Sequence, residues 1–105
     1  MAETIDEITI DWTDEEGNLA VKELKKEVLT RGSWTTIMFL YQERDKRTGE
    51  YGSPKIRVAR FQKRHGRFSP QSKFNISSLK QARQFVDVLN QWMAEMGEAE
   101  GGEEE

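Results

Sequence analysis

Ten residues, Trp34 to Glu43, constrain the fold of this chain most. They contain no glycine or proline and are rich in strong β formers: Thr35, Thr36, Ile37, Phe39 and Tyr41. In an extended strand Ile37, Phe39 and Tyr41 share one face, and Trp34, Thr36, Met38 and Leu40 share the other. Both faces are largely apolar. Such a strand is either covered on both sides or shows one side to a partner. A chain of 105 residues supplies one domain with a single core around it.

The flanking segments read mostly as further strands. Ile8, Ile10 and Trp12 alternate with Glu7, Thr9 and Asp11, which fits a short strand; a mobile acidic arm is the alternative for residues 1–16. Asp14 to Asn18 is a turn with Gly17 free to take positive φ. Leu19 and Val21 begin a second strand. Leu24 and Val28 are spaced as on a helix, but β-branched Val28 and Thr30 and the lack of a cap favour strand through Thr30. Arg31-Gly32-Ser33 is a tight connection. Arg44 to Pro54 is a polar loop, Lys55 to Lys63 a strand, Arg64 to Arg67 a hairpin connection, and Phe68 to Ile76 a last strand, irregular near Pro70. Past Ala59 the two faces are hard to assign, and a bulge is expected.

The period then changes. Ser78-Leu-Lys-Gln81 fits a capping box, and Leu79, Ala82, Val86, Leu89, Met93 and Met96 follow at helical spacing, widened by Phe85 and Trp92. Gly97 is a natural stop. The stripe is long for a helix over a small sheet. It predicts a core-facing helix whose Phe85, Leu89, Trp92, Met93 and Met96 also meet a second copy. The fold class expected is α+β: an antiparallel four- to five-stranded curved sheet followed by one C-terminal amphipathic helix, paired in a homodimer. Residues 1–16 form an acidic N-terminal segment, 17–97 the domain, and 98–105 a disordered acidic tail.

Charge is segregated along the chain. Residues 1–16 hold seven acids and no base, and residues 94–105 hold six acids and no base. All 16 bases lie between them, with only six acids. A basic body with acidic ends points to a polyanionic partner, although the overall pI is about 5.3. The stretch Lys55 to Lys73 concentrates the signal. It carries Lys55, Arg57, Arg60, Lys63, Arg64, Arg67 and Lys73, no carboxylate, and Phe61, His65 and Phe68 among them. Cations follow a phosphate backbone and uncovered rings stack on unpaired bases. A basic hairpin whose rings are core is the plainer alternative.

Other chemistries lack their residues. There is no cysteine, and His65 is the only histidine, so no thiolate site, His cluster or nucleophilic triad can be assembled. No phosphate-cradling loop or convincing carboxylate pair is present. The expectation is a non-enzymatic protein without metal or cofactor. Without a signal-like or membrane-spanning apolar run, a cytoplasmic location is expected, with nucleoid or nucleus as variants.

Two segments, Lys55-Ile-Arg-Val-Ala-Arg-Phe61 and Lys73-Phe-Asn-Ile-Ser-Ser-Leu-Lys-Gln-Ala-Arg-Gln-Phe-Val-Asp-Val-Leu89, resemble the repeat of the Pur-alpha family and the C-terminal domain of the positive cofactor four transcriptional coactivators. The resemblance implies a β-β-β-β-α unit, pairing of two units, and binding of single-stranded DNA or RNA on a curved, basic, aromatic-bearing sheet. Only one unit fits here, so the pair would be a homodimer. Carried over by position, Lys22, Lys25, Lys26, Arg57, Arg60, Lys63, Arg64, Arg67 and Lys73 contact phosphates. Trp34, Tyr41, Phe61 and Phe68 are the stacking rings, while Phe39, Phe74 and Phe85 belong to the core. Two features depart from the pattern: the acidic segment with Trp12, and the long Arg44–Pro54 connection.

The function expected is therefore low-specificity single-stranded DNA or RNA binding, with transcription regulation as the implied role. It requires the cations to gather on one open β surface with rings uncovered beside them. The alternative is a protein-interaction adaptor that dimerises through its helix and binds an acidic partner.

Overall fold

The computed structural model describes residues 2–100, without the side chains of 98–100. A 3₁₀ turn at Ile5–Glu7 precedes five strands: β1 (Trp12–Thr13), β2 (Leu19–Thr30), β3 (Trp34–Glu43), β4 (Lys55–Arg64) and β5 (Arg67–Ile76). One helix, α1 (Leu79–Glu100), follows. The strands form a single antiparallel curled sheet in the order β1-β2-β3-β4-β5, so every strand pairs with its neighbour in sequence. The chain is an α+β fold.

Local chemistry accounts for the connections. Asp14 Oδ1 accepts from the backbone N–H of Glu16 and Asn18, both at 2.9 Å, and Gly17 takes φ 88°. The Asn18 N–H is the largest influence on the Asp14 carboxyl and lowers its pKa below 3.8; slight desolvation opposes it, while the Glu16 N–H and the charges of Lys46 and Arg44 add to it. The β4–β5 hairpin turns on His65 and Gly66, at φ 52° and 78°. Two consecutive positive φ values match a two-residue hairpin to the sheet twist, so the lone histidine is a turn residue. The long β3–β4 loop is a small ordered hairpin. Asp45 Oδ1 accepts from Arg47 N at 2.8 Å, and the Tyr51 hydroxyl donates to the Leu19 carbonyl at 2.7 Å.

The N-terminal segment is neither a strand at Ile8 nor a free arm. After the turn at Ile5–Glu7 it crosses one face of the sheet and joins the edge only at Trp12–Thr13. Ile8 is buried with Ile37, Phe39, Ala59, Phe61 and Phe68, and Ala2, Ile5, Ile10 and Val28 pack around them. This covered face of β3 carries Thr35, Ile37, Phe39 and Tyr41, all buried. The opposite face carries Trp34, Thr36, Met38, Leu40 and Gln42, with Ile56 and Val58 of β4 beside them, and stays open.

The helix departs from expectation in three ways. Its start is at the predicted cap, where Gln81 N–H donates to Ser78 Oγ at 3.1 Å, but the return bond of the capping box is shifted by one residue: Gln81 Oε1 accepts from Ser77 N at 2.8 Å rather than from Ser78 N. Gly97, however, does not stop it. Helix continues through Glu100, because one interior glycine costs only about 1 kcal/mol against alanine. The part of the tail at 101–105 lies outside the described residues. The third departure is larger: the helix does not lie on the sheet. Its main contact is with β5, where Phe74 and Phe85 meet edge to face at 5.3 Å. Both rings stay exposed rather than entering the core, because nothing else covers them.

The result is a chain that does not cover its own apolar surface. Its radius of gyration is 16.5 Å, against about 13 Å for a compact domain of this length. Among the described residues thirteen large apolar side chains are exposed and eight hydrophobic residues are buried. Eight of the thirteen lie on α1: Leu79, Phe85, Val86, Val88, Leu89, Trp92, Met93 and Met96.

Candidate nucleic-acid interface

Strand register divides the predicted cations between the two faces. Residues directly opposite in an antiparallel pair share a face. On β4, Arg57 and Ala59 pair with Phe39 and Ile37 of the covered face, and Phe61 pairs with Thr35. Arg57, Lys63 and Lys73 therefore belong to that face, as does Lys26 opposite Phe39. Arg60 pairs with Thr36 and belongs to the open face, together with Lys22, Lys25, Arg64 and Arg67. The expected single basic surface is thus two surfaces. The cause is the period of two: neighbouring cations along a strand point oppositely.

Three of the proposed stacking rings are corrected by burial. Phe61 and Phe68 are 8% and 5% exposed, because the Ala2–Ile10 segment packs over them. Tyr41 is fully buried, with the Arg57 guanidinium over its ring at 4.9 Å. Lys26 is committed as well. Its ammonium donates to the carbonyls of Ile5 and Ile8 at 2.7 Å each and of Asp6 at 3.3 Å, which ties the N-terminal segment to β2.

The open face keeps what the others lose. Trp34 is 42% exposed, and the Arg60 guanidinium lies over its ring at 4.5 Å. Arg64 and Arg67 pair directly at the hairpin beside it, and Arg64 Nε donates to Gln62 Oε1 at 3.0 Å. Gln62, Ser69 and Ser72 complete this end of the face. On this face β3, β4 and β5 contribute no carboxylate. Lys22 and Lys25 lie toward the other end, Lys22 over the Tyr51 ring at 5.1 Å. Between the two ends lies a depression of about 520 Å³ lined by Lys25, Glu27, Met38, Leu40 and Ile56 among others; Glu27, opposite Met38, is a carboxylate that β2 brings to this face.

Among the described residues Lys55 is the one cation with a carboxylate within 4.0 Å; its ammonium donates to Glu43 Oε1 at 2.8 Å, a bond that raises its pKa. The remaining described Lys and Arg side chains have no such partner and can meet an external anion without breaking an ion pair. The residues proposed for a dimer contact, Phe85, Leu89, Trp92, Met93 and Met96, are all exposed along α1.

Trp12, expected as a strand residue of the acidic segment, was not among the candidate site residues. Its ring is 57% exposed and borders a groove of about 620 Å³ on the covered face, with Arg57 and Lys73 in the same lining. A large aromatic in an otherwise acidic segment was the only available signal. Among the described residues no cluster of three or more metal-ligating side chains occurs, and no helix is long and apolar enough to cross a membrane. Compared with known proteins, the chain matches no family model, no curated sequence and no solved structure.

Proposed function

We propose that this chain binds single-stranded nucleic acid through the hairpin end of its open face, without catalysis and with little sequence preference, and that it does so as a homodimer. One observation carries the reading. An exposed indole lies under a guanidinium, beside two further arginines, on a face to which β3, β4 and β5 bring no carboxylate. Cations hold the phosphates there, and the indole takes an unpaired base. A duplex offers no free base to Trp34, and the one long helix carries an apolar stripe rather than a basic recognition surface. The strand order and capped helix also support the resemblance to Pur-alpha and positive cofactor four domains.

Dimerisation is supported by the uncovered α1 stripe and the apolar centre of the open face. A second copy supplies the same stripe, and two-fold pairing closes both at once. The adaptor alternative draws on the same helix but gives Trp34 and Arg60 no task.

The test is an anisotropy titration of labelled oligonucleotides, single-stranded and duplex, between about 50 and 200 mM salt. Single strands should bind more tightly. With Arg60, Arg64 and Arg67 engaged, the slope of log K against log salt should be about −2 for each chain. The paired substitutions Trp34→Ala and Arg60→Gln should weaken binding. Equal affinity for duplex, or unchanged affinity in that variant, would reject the proposal.

A further inference from the structure

The groove on the covered face is built differently from the open patch. One wall is Thr9–Trp12, the other is Pro70–Lys73, and Val21, Arg57, Ala59 and Phe61 lie in the lining between them. Ala59 sits directly opposite Lys73 in the ladder, with Ile37 on its other side. A small side chain in this row leaves the depression, while its larger neighbours Phe39 and Phe61 fill theirs. On the β5 side, Arg60 pairs with Ser72 and Phe61 with Pro70, so Gln71 is an extra residue. Such a bulge re-aims side chains and often borders a binding site.

The lining combines three kinds of group. Trp12 offers an exposed ring. Arg57 is fixed by two contacts, its Nε donating to Asn75 Oδ1 at 2.8 Å and its guanidinium resting on Tyr41, and it has no carboxylate partner among the described residues. Lys73 is exposed and likewise unpaired. The one carboxylate in the lining is Asp11, which keeps its charge while its Oδ1 accepts from Glu23 N at 2.6 Å. Gln71 of the bulge adds an amide, and Thr9 a hydroxyl that donates to Glu23 Oε1 at 2.7 Å. A volume of about 620 Å³ falls within the range of small-molecule sites, about 300–1,000 Å³.

We infer that this groove is a nucleotide site: a flat base lies against Trp12, and its phosphate is held by Arg57 and Lys73. Charge decides the occupant. Two unpaired cations against the single carboxylate of Asp11 leave the lining net positive beside an apolar floor, which suits a planar ring carrying an anion better than a cationic guest. The inference deepens the single-strand reading, since a strand held on the open face would have a second contact on the opposite face of the sheet. The same chemistry would also hold a free mononucleotide.

Nitrogen-15 NMR of the full chain separates these cases, because each tryptophan gives one indole N–H signal, assigned through Trp12→Phe, Trp34→Phe and Trp92→Phe. A thymidine oligonucleotide and thymidine monophosphate are titrated separately. The Trp12 signal should shift with the oligonucleotide, and Trp12→Ala should weaken binding roughly tenfold, as expected for one lost stack. Arg57→Gln with Lys73→Gln should weaken it further while the Trp34 signal still responds. A shift of Trp12 with the monophosphate alone would uphold the groove and remove the single-strand reading. A shift of Trp34 with Trp12 unmoved would overturn the groove and leave that reading standing. If neither compound moves Trp12 or Trp34, both are overturned. Because Trp12 is largely exposed, the Trp12→Ala chain should keep its far-ultraviolet circular dichroism, which excludes unfolding as the cause.

Discussion

Replacing Trp92 by serine tests whether α1 is covered by a second copy. Trp92 is 58% exposed, so of about 200 Å² of side chain on the order of 115 Å² meets solvent in the single chain. Covering that area at about 25 cal/mol per Å² is worth about 3 kcal/mol. A two-fold interface contains the residue twice, so its full loss costs about 6 kcal/mol, or about four decades in the dimer dissociation constant. Coverage of only half the ring gives about two decades. Sedimentation equilibrium over a wide concentration range measures the constant for both chains, with far-ultraviolet circular dichroism to show that α1 persists. A dissociation constant that moves less than about tenfold would refute the reasoning, as would a parent chain that sediments as a monomer throughout.

Two further outcomes follow from contacts within the chain. Lys26→Met leaves the carbonyls of Ile5, Asp6 and Ile8 without their ammonium donor, and urea unfolding should show a loss of about 1–3 kcal/mol; a loss below about 0.5 kcal/mol would mean that the N-terminal segment is held by its isoleucines alone. Asp14 has a lowered folded-state pKa, so its contribution is present above the unfolded value of 3.8 and is lost as pH falls through the lower folded value. The stability difference between the parent chain and Asp14→Asn, followed by denaturant titration, should therefore be constant near neutral pH and shrink only in acid. A difference that shrinks as pH rises instead would contradict the turn geometry.

Strands β3 to β5 and the start of α1 were legible because their signals are local. Trp34–Glu43 alternates without interruption, and Ser78 with Gln81 marks the helix entry through bonds that the structure contains. β2 was harder, because Leu24 and Leu29 fall at register shifts and blur the alternation. What escaped the sequence is the long-range part. Nothing near Phe61 or Phe68 says that Ile8 will bury them, since the covering segment lies at the other end of the chain. Nor does Lys26 announce three backbone carbonyls as its partners. Basic residues could be counted along the strand, yet which face each takes is fixed by alternation on β4 and, on β5, by the extra residue at Gln71 that separates Arg67 from Lys73. The helix stripe was read correctly as apolar but was laid against the sheet, which it barely touches, because periodicity identifies an oily face and not what lies against it.

Strand β4 bears on how substitutions in this chain will be interpreted. From Lys55 to Arg64, odd-numbered residues look toward the N-terminal segment and even-numbered residues look away. A systematic scan of these ten positions should therefore yield two interleaved series of phenotypes, one tracking the Trp12 side and one the Trp34 side. A smoothed average over adjacent positions would erase both series, and a sequence window that treats Arg57 and Arg60 as one basic motif makes the same mistake.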